Sequence, residues 1–338
     1  MTAMLRVAAV QLELRAEPDL EHFATHVAAV VGQAALAGAE LVVLPELAST
    51  GLLASDPDAS SLRVADVPDA YRRVFPPCIE PLTDVLRELA TTHGLTVLGG
   101  SHYRRAADGS YRNTALLAHA DGRVERQDKL HLTPQEQAMG TTPGDEVLVT
   151  RIGPATVAVQ ICADVEFPEV SRHLALHGVD LILCPSLTWN RRGAQRIRYS
   201  THARALENQL FVVTAPLVGS CGIPADGAIH GTGTALVAAP IDRTFGLDDG
   251  VVAEHEDTRT EGMVVADLDL DLITASRARP EPPGLSNVRP ELYARLAAED
   301  AVEAGVVRIA GRPVRPDAED RPVARPAPPR PGPAPHPR

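Results

Sequence analysis

Short, almost wholly apolar runs alternate with longer helix-spaced runs through most of this 338-residue chain, and that alternation points to a layered α/β protein. The run LRVAAVQLE (5–13) reads as a strand. The following DLEHFATHVAAVVGQAALAGA carries apolar residues at helical spacing and ends near Gly38. AELVVLPE (39–46) is a short buried strand that stops at a proline and a carboxylate. After a Pro- and Asp-rich loop, IEPLTDVLRELATTHG reads as a second helix, followed by the strands LTVLGGSHYRR and RNTALLAHA, the turn Asp121-Gly122 and RVERQDKLHL. EVLVTRIG, TVAVQIC, VDLILCPS, LFVVTAP, GTGTALVAAP and EGMVVADLDL supply further strands, with helices expected at PEVSRHLALHG and AQRIRYSTHARALENQ. From about residue 310 the composition turns Pro- and Arg-rich with almost no apolar content. The reading is therefore one domain over 1–310 and a solvated, disordered tail over 311–338, because such a segment cannot bury enough surface to offset its ordering entropy.

Several functions are excluded early. A net charge of -12 without a basic patch argues against nucleic acid as partner. No basic leader precedes an apolar run, and no stretch reaches the roughly 18 uncharged apolar residues of a membrane span, so no membrane partner is expected. There is no GxGxxG after a strand and no GxxxxGKS loop, which removes the two commonest nucleotide signatures. Cys78, Cys162, Cys184 and Cys221 lie far apart without a CxxC pair, which reads as reduced thiols in a cytoplasm. His173 and His177 are four apart on one helix, but HLALH lacks the glutamate of HExxH and no third ligand stands out. A metal site is not expected there.

The residues that could carry chemistry stand at strand ends. TVAVQIC (156–162) is apolar until it reaches Cys162, where the chain turns toward a helix; open α/β sheets build their sites at such ends, and a helix N-terminus would favour thiolate. Free cysteine usually just packs, and Cys184 before Pro185 is the example of that ordinary role. Glu46 ends a strand too apolar to finish on a carboxylate without reason, and partial desolvation would raise its pKa toward the range of a general base. Of 32 basic residues, Lys129 is the single lysine, a compact charge whose pKa responds to burial in a chain otherwise served by arginine.

The blocks LVVLPE, DKLHL and VQICADVEFPE, with AAVQLE, VLGGSHYR, YRNTALLAHADGRV, LILCPS and RALENQLFVV around them, resemble in order and spacing the signature segments of the nitrilase superfamily of carbon–nitrogen hydrolases, over roughly residues 5–275. The resemblance implies a four-layer αββα sandwich and a Glu-Lys-Cys triad, with Glu46 as general base, Lys129 as oxyanion-stabilising cation and Cys162 as nucleophile. Glu136 matches a second glutamate that positions substrate, and the backbone N–H of Ala163 would join the oxyanion site. Many members carry an aromatic residue where this chain has Ala163, and the string Cys-Ala-Asp in place of Cys-Trp-Glu argues for amide over nitrile substrates. No cofactor is implied. The expected partner is a small-molecule carboxamide or N-carbamoyl compound, and the expected assembly a homodimer or higher homo-oligomer. Two other readings stay open on sequence: acyl transfer to an amine by the same triad, and a non-catalytic scaffold.

Overall fold

A computed structural model of the chain describes residues 3–281 and 284–297. The expected boundary near residue 310 and the tail at 311–338 lie outside the described residues. The chain divides into two units, Met1–Ser286 and Asn287–Arg338.

The first unit runs β1 (Met4–Leu14), α1 (Leu20–Leu36), β2 (Leu41–Val43), α2 (Val67–Val74), α3 (Ile79–His93), β3 (Thr96–Arg105), β4 (Tyr111–Ala118), β5 (Val124–Asp128), α4 (Pro134–Ala138), β6 (Val149–Ile152) and β7 (Ala155–Val159). It continues α5 (Pro168–Leu176), β8 (Leu181–Ser186), α6 (Arg191–Asn208), β9 (Phe211–Ser220), β10 (His230–Gly231), β11 (Leu236–Ala238), β12 (Val251–Glu254), β13 (Gly262–Asp269) and α7 (Leu270–Ala278). In the second unit the described helix is α8 (Pro290–Ala297).

The strands hydrogen-bond in the order β5-β4-β3-β2-β1-β9-β8-β7-β6, and β1 meets β9 only through Leu12–Leu14 against Leu217–Gly219. The sheet thereby folds into two halves that face each other. Successive β1 side chains show the layering, since they point to opposite faces. Leu5, Val7 and Ala9 join one apolar cluster with Val157, Leu183 and Val213 of the other half, and Ala8, Val10 and Leu12 join Phe23 and Val27 of α1 and Leu86 of α3. Leu174 of α5 and Ile197 and Ala205 of α6 complete the first cluster. Helices thus flank two sheet layers, the αββα sandwich expected from the sequence. Each fully buried Val or Leu contributes about 1.5–3 kcal/mol, which is why strands buried on both faces are apolar throughout.

The helices form for local reasons. The Asp19 side chain caps α1 by accepting the N–H of His22 at 2.9 Å, and Phe23, Val27, Val30, Val31 and Ala34 line its buried stripe. The Pro- and Asp-rich loop is more ordered than its composition suggests. It contains a 3-10 segment at Ala48–Ser55 and helix α2, whose Tyr71 and Val74 are buried.

Strand direction positions the site. β2, β1, β9, β8 and β7 are mutually parallel. β3 is parallel to β2, β4 is antiparallel to β3 and β5 is antiparallel to β4, so β5 also runs with β2. The C-terminal ends of β2, β5, β7 and β8 therefore open on the same side of the molecule, where open α/β sheets place ligands.

Candidate active site

Glu46 follows β2, Lys129 follows β5 directly, and Cys162 opens a 3-10 turn after β7. All three are buried, at 3%, 1% and 5% exposure. Lys129 Nζ donates to Glu46 Oε1 at 2.6 Å and to Glu136 Oε2 at 2.8 Å. Glu136 is brought in by α4: Thr133 caps that helix, and its N–H and hydroxyl both donate to Glu136 Oε2 at 2.9 Å. The backbone N–H of Leu187 donates to Glu46 Oε2 at 2.9 Å, and the carbonyl of the same residue accepts Cys162 Sγ at 3.7 Å. Ser186 Oγ donates to Sγ at 3.6 Å. One residue past β8 thus touches both the carboxylate and the thiol.

Burial and neighbouring charge set the protonation states. Burial raises the pKa of Glu46, with Lys129 pulling it back and Glu136 adding to the rise. Burial would strip the proton from Lys129, but Glu46 and Glu136 outweigh it and hold the ammonium above the ordinary lysine value. Burial likewise acts against Glu136, where Lys129 wins and leaves the carboxyl below its usual range. The Cys162 thiol lies well above its ordinary value because of burial and the adjacent Glu46 charge. The expected thiolate stabilised by a helix N-terminus is therefore not what the fold builds. A five-residue 3-10 turn that begins at Cys162 itself separates the thiol from α5, and burial together with the Glu46 charge raises its pKa. Cys184 lies buried in β8 with its thiol pushed up to about 12 by burial and by Glu46, consistent with a packing role.

Two backbone features hold this geometry. Cys162 sits in the left-handed region with φ +48°, as does Leu47 next to Glu46. Non-glycine residues there cost about 1–3 kcal/mol each and mark a chain turned sharply to present a side chain. Behind Glu46, Gly100 at φ +78° lets β3 press against the Pro45 carbonyl.

The sequence reading missed two members of the cluster. Asn113, on β4, donates from Nδ2 to Glu46 Oε1 and to Glu136 Oε1, each at 2.9 Å. Asp164, fully buried, accepts the backbone N–H groups of Ile161, Leu130 and His131 at 2.9, 3.2 and 2.7 Å. It clamps the cysteine turn to the lysine loop. Nothing local marks either residue, although both fall inside sequence blocks that drew notice for other residues. Ala163 is half-buried beside Cys162. The His173 and His177 rings lie tilted at 38° to each other with centroids 4.2 Å apart, and among the described residues no group of three or more His, Cys, Asp or Glu is placed to hold a metal ion. No helix among them is long and apolar enough to cross a membrane.

The carbon–nitrogen hydrolase family model matches residues 6–278. A probable hydrolase of Bacillus subtilis (strain 168) is 31% identical over 294 residues, covering 86% of this chain and 54% of its own length; the chain thus spans about half of that relative. A nitrilase of Pyrococcus abyssi is 30% identical over 279 residues, covering 81% of this chain and 93% of the relative. Among solved structures, a carbon-nitrogen hydrolase from Helicobacter pylori G27 superposes with a TM-score of 0.72 at 20% identity, over 88% of this chain and 99% of that one. An amidase from Nesterenkonia sp. does so at 0.66 and 23% identity, over 87% and 97%.

Proposed function

The chain belongs to the carbon–nitrogen hydrolase family, and from that premise we propose that it hydrolyses the C–N bond of a small carboxamide or N-carbamoyl compound through a thioester on Cys162. The observation that carries this reading is the shared backbone of Leu187, whose carbonyl accepts from the Cys162 thiol and whose N–H donates to the Glu46 carboxylate.

Charge balance supports the roles. Glu46 and Glu136 ionised, Lys129 protonated and Cys162 neutral give the buried cluster one net negative charge. A free thiolate beside Glu46 would add a second, which is why the thiol stays protonated at rest. Transfer of the thiol proton to Glu46 as sulfur attacks the amide carbon keeps the total unchanged, because the new charge appears on the substrate oxygen. Lys129 and the backbone N–H of Ala163 are the donors assigned to that oxyanion, and preorganised donors of this kind supply a few kcal/mol each. Glu46 then passes its proton to the departing amine and takes one from the water that opens the thioester. Glu136, ionised and held by Thr133, keeps the ammonium in place. Cys-Ala-Asp in place of Cys-Trp-Glu favours an amide over a nitrile substrate, and an (R)-stereoselective amidase of Pseudomonas sp. that is 31% identical over 169 residues, covering 50% of this chain and 56% of that enzyme, supports the same choice. Four free cysteines fit a reducing cytoplasm.

The test is ammonia release from a panel of small carboxamides and N-carbamoyl compounds, with Cys162→Ala as control. Glu46→Gln should slow turnover and leave a covalent acyl adduct on the Cys162 peptide, because glutamine cannot activate water. Activity that survives Cys162→Ala, or no ammonia from any compound, overturns the reading.

A further inference from the structure

We infer that Asn113 is a positioning residue of the proposed reaction, whose side-chain amide occupies Oε1 of Glu46 and thereby leaves Oε2 as the atom that takes the thiol proton. This rests on the assignment of Glu46 as base and Cys162 as nucleophile.

A carboxylate oxygen offers two in-plane lone pairs. Those of Glu46 Oε1 receive Lys129 Nζ at 2.6 Å and Asn113 Nδ2 at 2.9 Å. Oε2 receives the Leu187 N–H at 2.9 Å and has no second hydrogen-bond donor among the described residues, while the carbonyl of the same Leu187 accepts from Cys162 Sγ. In the attack the S–H bond breaks, an Oε2–H bond forms, the sulfur pair bonds to the amide carbon, and the π pair of the C=O bond moves onto the substrate oxygen. The other hydrogen of Asn113 Nδ2 goes to Glu136 Oε1 at 2.9 Å, while Glu136 Oε2 is held by Lys129 and twice by Thr133. The two hydrogens of one amide nitrogen are thus divided between two carboxylates.

Few side chains could do this. Aspartate would place a third anion in the cluster, and arginine or a second lysine would cancel its net charge. A flipped amide would aim its oxygen at two carboxylates, so the orientation of Asn113 is dictated by charge. Its Oδ1 is buried without a hydrogen-bond partner among the described residues, so the side chain is kept for its donors. The backbone carbonyl of Asn113 also accepts the N–H of Lys129 at 2.8 Å, so one residue fixes base, cation and second glutamate together.

The experiment compares the full-length wild type with Asn113→Asp, which is nearly isosteric, and Asn113→Ala. Thermal melting establishes folding, and kcat and KM are measured across pH. Iodoacetamide alkylation of Cys162 is followed across pH by peptide mass spectrometry without substrate. In Asn113→Ala, kcat should fall at least about tenfold, equivalent to about 1.4 kcal/mol, with KM nearly unchanged. In Asn113→Asp, the acid limb of kcat and the Cys162 alkylation profile should both move upward by about one pH unit or more, because a like charge beside Glu46 and the thiol disfavours their ionised forms. A purely structural residue would move the melting temperature but neither profile. Wild-type profiles in Asn113→Asp overturn the inference. Failure of the wild type to release ammonia from any amide sinks the hydrolase reading instead, and the alkylation arm still decides the coupling of Asn113 to the thiol.

Discussion

The carboxylate of Asp164 accepts the backbone N–H of His131 at 2.7 Å, and through that bond the turn that carries the cysteine is fastened to the loop that carries the lysine. Leu130 adds a second N–H at 3.2 Å, Ile161 a third at 2.9 Å, and the His131 ring lies 3.1 Å from the same carboxylate. Cys162 and Lys129 are 33 residues apart in sequence, so their mutual placement depends on this buried junction.

Asp164→Asn should therefore lower both stability and activity. The new amide turns an N–H donor toward backbone N–H groups and leaves at least one of them unsatisfied, at a cost of about 1–3 kcal/mol. Urea unfolding should show a lower midpoint, and kcat should fall by more than about tenfold. A variant with wild-type midpoint and turnover would mean that the clamp is dispensable.

Lys129→Arg should be nearly inactive although the charge is kept. The ammonium is 1% exposed and sits 2.6 and 2.8 Å from two carboxylates. A planar guanidinium is larger and cannot occupy that space while still facing a developing oxyanion. Steady-state kinetics decide it. Retention of more than about a tenth of wild-type kcat, a loss under 1.4 kcal/mol, would reduce Lys129 to a positive charge.

Glu46 and Cys162 drew notice because each stands where an apolar strand ends, and Lys129 because it is the single lysine of the chain; the structure brings the three side chains together. Asn113 and Asp164 drew no such notice. An asparagine in RNTALLAHA looks the same whether it faces water or two carboxylates, and Asp164 has three of its donors on residues 130 and 131, far away in sequence. The layered α/β class was legible in the strand–helix order, the four-layer sandwich only through the family resemblance, and much of its detail in neither. β1 is buried on both faces, so no alternation shows which residues face the second sheet. Helix α2 hid in a segment rich in proline and aspartate, because Pro68 falls in its first turn, where proline is tolerated.

The second buried cluster predicts a pH-dependent stability. His26, on α1, is held between Glu17 at 3.2 Å and Glu261 at 2.6 Å, with Arg15 also bonded to Glu261. Burial lowers its pKa, but Glu261 and then Glu17 outweigh burial and Arg15 and raise it above the ordinary histidine value. A raised folded-state pKa means that the stabilisation is complete below about pH 6.5 and is lost as pH rises through the folded value. His26→Gln should flatten the melting temperature over that window and cost most at low pH. A wild type whose melting temperature climbs relative to the variant as pH rises would reverse the sign and refute the pairing.

Gly100→Ala should disable the site from behind. Gly100 lies at φ +78° where the register of β3 against β4 shifts, and a Cβ there would fall 2.0 Å from the Pro45 carbonyl oxygen and 3.2 Å from Ala48 Cβ. Contact at 2.0 Å with backbone cannot be relieved by turning a side chain, so the two backbones must part by more than about 1 Å to reach ordinary contact, and Glu46 moves with the Pro45 peptide. Misplacement on that scale costs on the order of a hundredfold in rate. The left-handed conformation alone adds about 1–2 kcal/mol for alanine, which could masquerade as the cause through lost stability. Gly94→Ala separates the two: Gly94 also has positive φ, at +65°, but a Cβ there meets nothing within 4 Å. Both variants should melt below wild type, yet only Gly100→Ala should lose about two orders of magnitude in kcat. Turnover in Gly100→Ala within about threefold of Gly94→Ala, under 1 kcal/mol in barrier, would show that the position of Glu46 does not depend on the close approach of β3.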